Sequence, residues 1–164
     1  MIFTGTFQNK IDAKGRVSVP APFRTLIQAS PSRQMALFPS LRFEGALEGM
    51  TGDLLNAIAQ QTGVAKGNLV TKARPNPYSL IFRSSHSLHI DDAGRISLPD
   101  TLVTKAGLER TAVFTGEGHS FILWSPAAYE AQMAADMAAL AENPNAEEFE
   151  IDFAAAAASM AGAA

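Results

Sequence analysis

The sequence predicts an α+β fold in which one small unit is used twice, and three observations carry this. A nine-residue stretch occurs in two copies, Asp12-Ala13-Lys14-Gly15-Arg16-Val17-Ser18-Val19-Pro20 and Asp91-Asp92-Ala93-Gly94-Arg95-Ile96-Ser97-Leu98-Pro99, each preceded by an isoleucine, Ile11 and Ile90. Such self-similarity marks a repeated supersecondary unit. Each copy then alternates apolar and polar residues up to a proline, a pattern that reads strand, turn, strand, helix. Finally, 47% of the 164 residues are hydrophobic, enough for one domain or two small ones sharing a core.

The turn has a physical reading. Asp at its first position and Gly at its fourth suit a type I turn closed by a left-handed residue, the common four-residue hairpin connection. The carboxylates of Asp12 and Asp91 can accept backbone N–H groups within their own turns. Gly15 and Gly94 take the positive φ. Beyond the turn, Val17 and Val19 point to one side and Arg16 and Ser18 to the other; Ile96, Leu98, Arg95 and Ser97 repeat this.

Residues 5–11 are expected to form the first strand, and Pro20-Ala21-Pro22 to open a helix to about Ala29 with Phe23, Leu26 and Ile27 on its apolar face. Ser30-Pro31-Ser32 reads as loop, followed by short strands at Met35–Phe38 and Arg42–Leu47. Thr51-Gly52-Asp53 is a capping cluster ahead of Leu54, Leu55, Ile58 and Ala59, with Gly63 near the helix end. Gly63–Arg74 reads as a basic linker. Asn76-Pro77 starts a helix carrying Leu80, Ile81 and Phe82. Ser87–Ile90 leads into the second turn, and Pro99 opens a helix that stops at Gly107. Strands at Ala112–Thr115 and Phe121–Trp124 flank a Gly116-Glu117-Gly118 turn. Ser125-Pro126 starts the longest helix, with Tyr129, Met133, Met137 and Leu140 on one face, until Asn143-Pro144 breaks it. The acidic, alanine-rich tail is expected to be disordered; a rival reading takes its alternation over 148–153 as a strand-like docking segment.

Composition excludes several classes. There is no cysteine, hence no disulfide and no thiolate metal site, which suits a reducing compartment. No apolar run is long enough to span a bilayer, and the N-terminus has no signal-peptide pattern, so a cytoplasmic protein without a membrane partner is expected. His86, His89 and His119 do not form a metal-ligand pattern, and no cofactor is expected.

Net charge is −3, but it is unevenly spread. Residues 1–86 hold ten Lys/Arg against four Asp/Glu, and residues 87–164 three against twelve. A basic working surface with an acidic tail is one reading, and acidic residues that merely solubilise an alanine-rich segment the other. Lys10, Lys14 and Arg16 cluster at the first turn. Arg16 can read guanine or pair with phosphate, or it can only brace its turn through Asp12. For Arg95, beside Asp91 and Asp92, the bracing reading is stronger.

At this point the chain resembles the MraZ family of bacterial transcriptional regulators. The resemblance rests on the two Asp-x-x-Gly-Arg turns 79 residues apart, each followed by a hydrophobic-Ser-hydrophobic-Pro run, and on the Phe121-Ile122-Leu123-Trp124-Ser125-Pro126 junction. It implies a duplicated AbrB-like swapped-hairpin β-barrel with short flanking helices, with repeats at 1–74 (linker included) and 75–141 and a tail at 142–164. It further implies a ring-shaped homo-oligomer, associated with the nucleoid, that binds double-stranded DNA repeats in the promoter of its own division and cell-wall gene cluster. Neither enzymatic activity nor a small-molecule substrate is implied. The motif that the family associates with DNA contact falls on Asp12 and Arg16 and on Asp91 and Arg95. Lys10, Lys14 and Arg24 are then expected phosphate contacts, against a rival reading as a solvated face that is at least as strong for Arg24, with Asp12, Gly15, Asp91 and Gly94 shaping the turns. Two departures stand out. Leu47-Glu48-Gly49-Met50 lacks the aromatic-Pro junction of the second repeat, and the second loop is less basic than the first.

Two other classes stay open. Paired Asp turns in a duplicated β unit resemble an aspartic-protease dyad, but neither copy has the Asp-(Thr/Ser)-Gly of those enzymes. An oligomeric protein-interaction scaffold without specific DNA binding would instead need an apolar patch.

Overall fold

The computed structural model describes residues 1–62, 77–142 and 152–162. The elements run β1 (Thr6–Lys10), β2 (Arg16–Ser18), α1 (Ala21–Ala29), β3 (Gln34–Pro39), β4 (Leu47–Thr51), α2 (Gly52–Thr62), α3 (Pro77–Ser84), β5 (His86–His89), β6 (Arg95–Ser97), α4 (Asp100–Lys105), β7 (Thr111–Gly116), β8 (Phe121–Trp124), α5 (Pro126–Glu142) and α6 (Phe153–Gly162). The expected linker Gly63–Arg74, the Asn76 cap, the Asn143-Pro144 break and residues 148–151 lie outside the described residues.

Six strands form one sheet in the order β1-β7-β8-β4-β3-β5, and β2 and β6 form a separate two-stranded ribbon. The order is symmetric about the β8–β4 seam, where Glu48 faces Ile122. The repeats exchange their first strands. β1 pairs antiparallel with β7 of the second repeat, and β5 with β3 of the first. The α+β, duplicated character stands, but the expected closed barrel is corrected: the six-stranded sheet ends in open edges at β1 and β5. The two strands around each turn also do not continue as a hairpin. Across the first turn, one isolated bridge among the described residues, Ile11 to Val17, joins them before β1 and β2 go to different partners. Pro20 and Pro99, lacking an N–H, follow Val19 and Leu98, so the ribbon is too short to carry pairing around to the sheet edges.

The sheet is covered on both faces. One face packs with the inward ribbon residues Val17, Val19, Ile96 and Leu98 and with Phe23, Ile27 and Leu102 of helices α1 and α4. Phe23 is fully buried and touches four rings, Phe3, Phe7, Phe114 and Phe121, at centroid distances of 5.1–6.4 Å. The other face meets Leu54, Leu55, Ile58 and Ile81 over Ala36, Phe38 and Met50, and Ala128 and Tyr129 over Val113, Ile122 and Trp124. Burial on both sides explains why β3, β7 and β8 read as apolar runs rather than alternating strands.

The helix starts follow local chemistry. The Leu54 N–H donates to Thr51 Oγ1 at 3.2 Å and the Ala128 N–H to Ser125 Oγ at 3.1 Å, equivalent N-caps in the two repeats. The junction of repeat one is therefore Met50-Thr51-Gly52, with its cap one residue beyond Leu47-Glu48-Gly49-Met50. β4 likewise lies at Leu47–Thr51, later than the expected Arg42–Leu47. Helix α4 ends at Lys105 and is closed by Gly107, at φ +58°, with the Leu108 N–H donating to Val103 O at 3.0 Å.

Contacts divide the chain into two units, Met1–Glu130 and Ala131–Ala164, and the strands of both repeats, β1 to β8, lie within the first. In the second, the distal part of α5 exposes Met133, Met137 and Leu140. The tail that composition marked as disordered contains helix α6, capped by Asp152 Oδ1, which accepts the Ala155 N–H at 2.9 Å. Among the described residues no helix is long and apolar enough to cross a membrane.

Candidate nucleic-acid interface

Both repeated turns are built alike. In the first, Asp12 Oδ1 accepts the Lys14 and Arg16 N–H groups, each at 2.9 Å, and Asp12 Oδ2 accepts Arg16 Nε at 2.8 Å. In the second, Asp91 Oδ1 accepts the Ala93 and Arg95 N–H groups at 2.9 Å, and Oδ2 accepts Arg95 Nε at 3.1 Å. Gly15 and Gly94 sit at φ +76° and +80°, as the turn requires. The N–H of Arg16 bound by Asp12 is the main reason its carboxyl lies below the usual carboxylate range; the N–H of Arg95 does the same for Asp91.

The turns are also tied to each other. The Val19 N–H donates to Gly94 O, and the Leu98 N–H to Gly15 O, both at 2.9 Å. Within the ribbon, Arg16 lies opposite Ser97 and Ser18 opposite Arg95. Opposed residues of an antiparallel pair share a face, so Arg16, Ser18, Arg95 and Ser97 all point away from the core that Val17 and Ile96 enter. Arg16 and Arg95 are diagonal neighbours, about 7–8 Å apart at Cα. The Asn9 side-chain amide, donating to Ser18 O at 2.7 Å, links the ribbon to β1.

Each bracing pair engages only the Nε of its arginine; among the described residues no hydrogen bond or ion pair takes the Nη atoms of Arg16 or Arg95. Bracing and contact are thus compatible. The carboxylate fixes the side of the guanidinium, and its end stays open for a bidentate acceptor. Lys10, at the end of β1, and Lys14, in the first turn, are exposed. Arg24 lies elsewhere: its guanidinium rests against Gly94 of the second loop. The convergence of the two arginines is the feature that sequence reasoning missed. Its signal is the polar half of the alternation in both copies, uninformative until β2 and β6 are known to pair.

His86 and His89 sit at the two ends of β5, and among the described residues no group of three or more His, Asp or Glu could hold a metal ion. Over 130 residues the chain is 38% identical to transcriptional regulator MraZ of Rhodospirillum rubrum, covering 79% of this chain and 83% of that protein. The chain belongs to the MraZ family. The MraZ regulators of Xanthobacter autotrophicus and Pelagibacter ubique are 34% and 32% identical over about four-fifths of both chains. The family model described as "MraZ protein, putative antitoxin-like" matches residues 81–152, a span that contains Asp91 and Arg95. A MraZ-type chain is a transcriptional regulator and not an enzyme, which removes the protease reading of the paired Asp turns.

Proposed function

We propose that this MraZ-family chain is a sequence-specific DNA-binding regulator of its own division and cell-wall gene cluster, acting at the nucleoid as a ring-shaped homo-oligomer on promoter repeats. The observation that carries the reading is the outward face of the β2–β6 ribbon, which presents Arg16 and Arg95 with guanidinium ends that take no partner among the described residues. Arginine ends of this kind suit base edges or phosphates, and Lys10, Lys14 and Arg24 supply further phosphate contacts. One ribbon makes few contacts and binds weakly. A ring repeating the ribbon engages several DNA repeats at once, and such linkage raises affinity by roughly 10²–10⁴. Repeats about one helical turn apart, ~10 bp, fall on one side of the duplex.

The test is a fluorescence-anisotropy titration of the full chain against the DNA upstream of its own gene and a scrambled control, at two salt concentrations. Tighter binding to the upstream DNA, falling with a slope of roughly 0.9 per phosphate neutralised, is expected. Equal, weak binding to both DNAs would overturn the reading and leave the ribbon a structural device in a scaffold.

A further inference from the structure

Resting on the DNA-binding reading, we propose that Arg24 of helix α1 is the second cation of the second loop, doing there what Lys14 does in the first. The loops differ in charge. Lys14 corresponds to Ala93, and Ala13 to Asp92. With Asp12, Lys14 and Arg16 the first loop is net positive; with Asp91, Asp92 and Arg95 the second is net negative. A net-negative loop is repelled by a phosphate backbone.

The fold compensates across the repeats. Helix α1 of the first repeat lays Arg24 against the second loop, so closely that a Cβ on Gly94 would overlap its guanidinium and lie 3.0 Å from its Cδ. Arg24 and Gln28 wall a cleft of about 390 Å³ whose other side is Asp91, Asp92, Ala93 and Gly94. The residue corresponding to Arg24 in the second repeat is Val103, and among the described residues a Cβ on Gly15 would meet only Leu98 O within 4 Å; the first loop carries its own lysine instead.

Arg24 is available for a ligand. Among the described residues it makes no ion pair or hydrogen bond through its side chain, although two carboxylates line its cleft. Asp91 is already engaged by the Ala93 and Arg95 N–H groups and by Arg95 Nε. A half-buried guanidinium left unpaired in a polar cleft suits an anionic oxygen, and the anion the proposed function supplies is a DNA phosphate. With Arg24 counted, each loop offers two cations, Lys14 with Arg16 and Arg24 with Arg95.

The experiment uses the full chain and its upstream DNA, titrated at two salt concentrations, with Arg24→Ala, Arg24→Gln and Arg24→Ala/Ala93→Lys. Both single variants are expected to bind about tenfold more weakly, with a salt slope lower by roughly 0.9 for each second loop engaged. Arg24→Gln retains most of the stem packing, so a loss shared by both variants reports the charge. Ala93→Lys puts the cation where the first loop has Lys14, and it is expected to restore the slope and most of the affinity. Wild-type affinity and slope in Arg24→Gln would overturn the proposal. So would a loss that Ala93→Lys fails to restore in a double variant that melts like the wild type, since Arg24 would then only prop the loop. Failure of the wild type to prefer its upstream DNA would instead defeat the underlying DNA-binding reading.

Discussion

Asp12 and Asp91 each do two things with one carboxylate: one oxygen closes the turn on two N–H groups, and the other holds an arginine by its Nε. This division of labour gives a pH signature. Both folded-state pKa values lie below the unfolded value of about 3.9. A depressed carboxylate contributes stability that is present above the unfolded pKa and lost as pH falls through the folded one. Thermal melts from about pH 6 down to about pH 2 should show the wild type losing stability below about pH 4. Asp12→Asn/Asp91→Asn should be less stable at neutral pH and flatter with acid; parallel curves would mean the carboxylates hold nothing that folding depends on. Arg16→Ala addresses the open end of the guanidinium. The pair lies at the surface, where solvent screens it, so its loss should barely move the melting temperature. Binding to upstream DNA should weaken by about 1–3 kcal/mol in the anisotropy titration. Undiminished affinity would place the contact on another residue. Turn chemistry of this kind is legible in sequence because every partner lies within four residues of the aspartate. The position of Arg24 against Gly94 is not, because 70 residues separate them and only the exchange of strands brings them together.

The elements that sequence placed correctly are those whose limits are set by local residues: α1 behind Pro20, α4 between Pro99 and Gly107, and β8 ahead of the Ser125 cap. β4 was misplaced for tertiary reasons. Arg42-Phe43-Glu44 looks like the start of an alternating strand, yet Ser40 Oγ accepts the Arg42 and Phe43 N–H groups at 3.1 Å and bends the chain into a turn. Gly49 and Glu48, which look unsuited to a central strand, are both buried. The Phe121 ring lies across Gly49, where a Cβ would collide with it. Glu48 is 8% exposed and neutralised from outside its strand. Arg42 Nη2 donates to its Oε1 at 2.7 Å and Ser120 Oγ to the same oxygen at 2.8 Å. Arg42→Ala would strand that carboxylate at the β4–β8 seam, and urea unfolding should show a loss of about 1–3 kcal/mol. A change within about 0.5 kcal/mol, as for an ordinary surface substitution, would mean that Ser40 and Ser120 satisfy Glu48 alone.

At the scale of the molecule, exchange governs stability. β1 has its ladder on β7, β5 on β3, and β2 on β6, so neither repeat contains the partners of its own first two strands. Residues 1–74 and 75–142 expressed separately should each lack a dispersed amide spectrum, and mixing them should restore one. A single half that folds alone with the melting temperature of the intact chain would show that pairing within a repeat can replace the exchange. The distal part of α5 exposes Met137 and Leu140, at 62% and 63%. What the sequence by itself determined is the unit: a turn built by Asp and Gly, a strand with one polar and one apolar side, and helices started by proline, serine or threonine. These depend on steric and hydrogen-bonding preferences acting over a few residues. Only the tertiary structure decided how two units combine: an open six-stranded sheet rather than a barrel, a ribbon that turns two distant arginines to one side, and an arginine of one repeat lent to the loop of the other. Those outcomes depend on which strand edges meet, and each strand carries N–H and C=O groups that several partners could satisfy, so burial of the whole core, and not local pattern, selects among them.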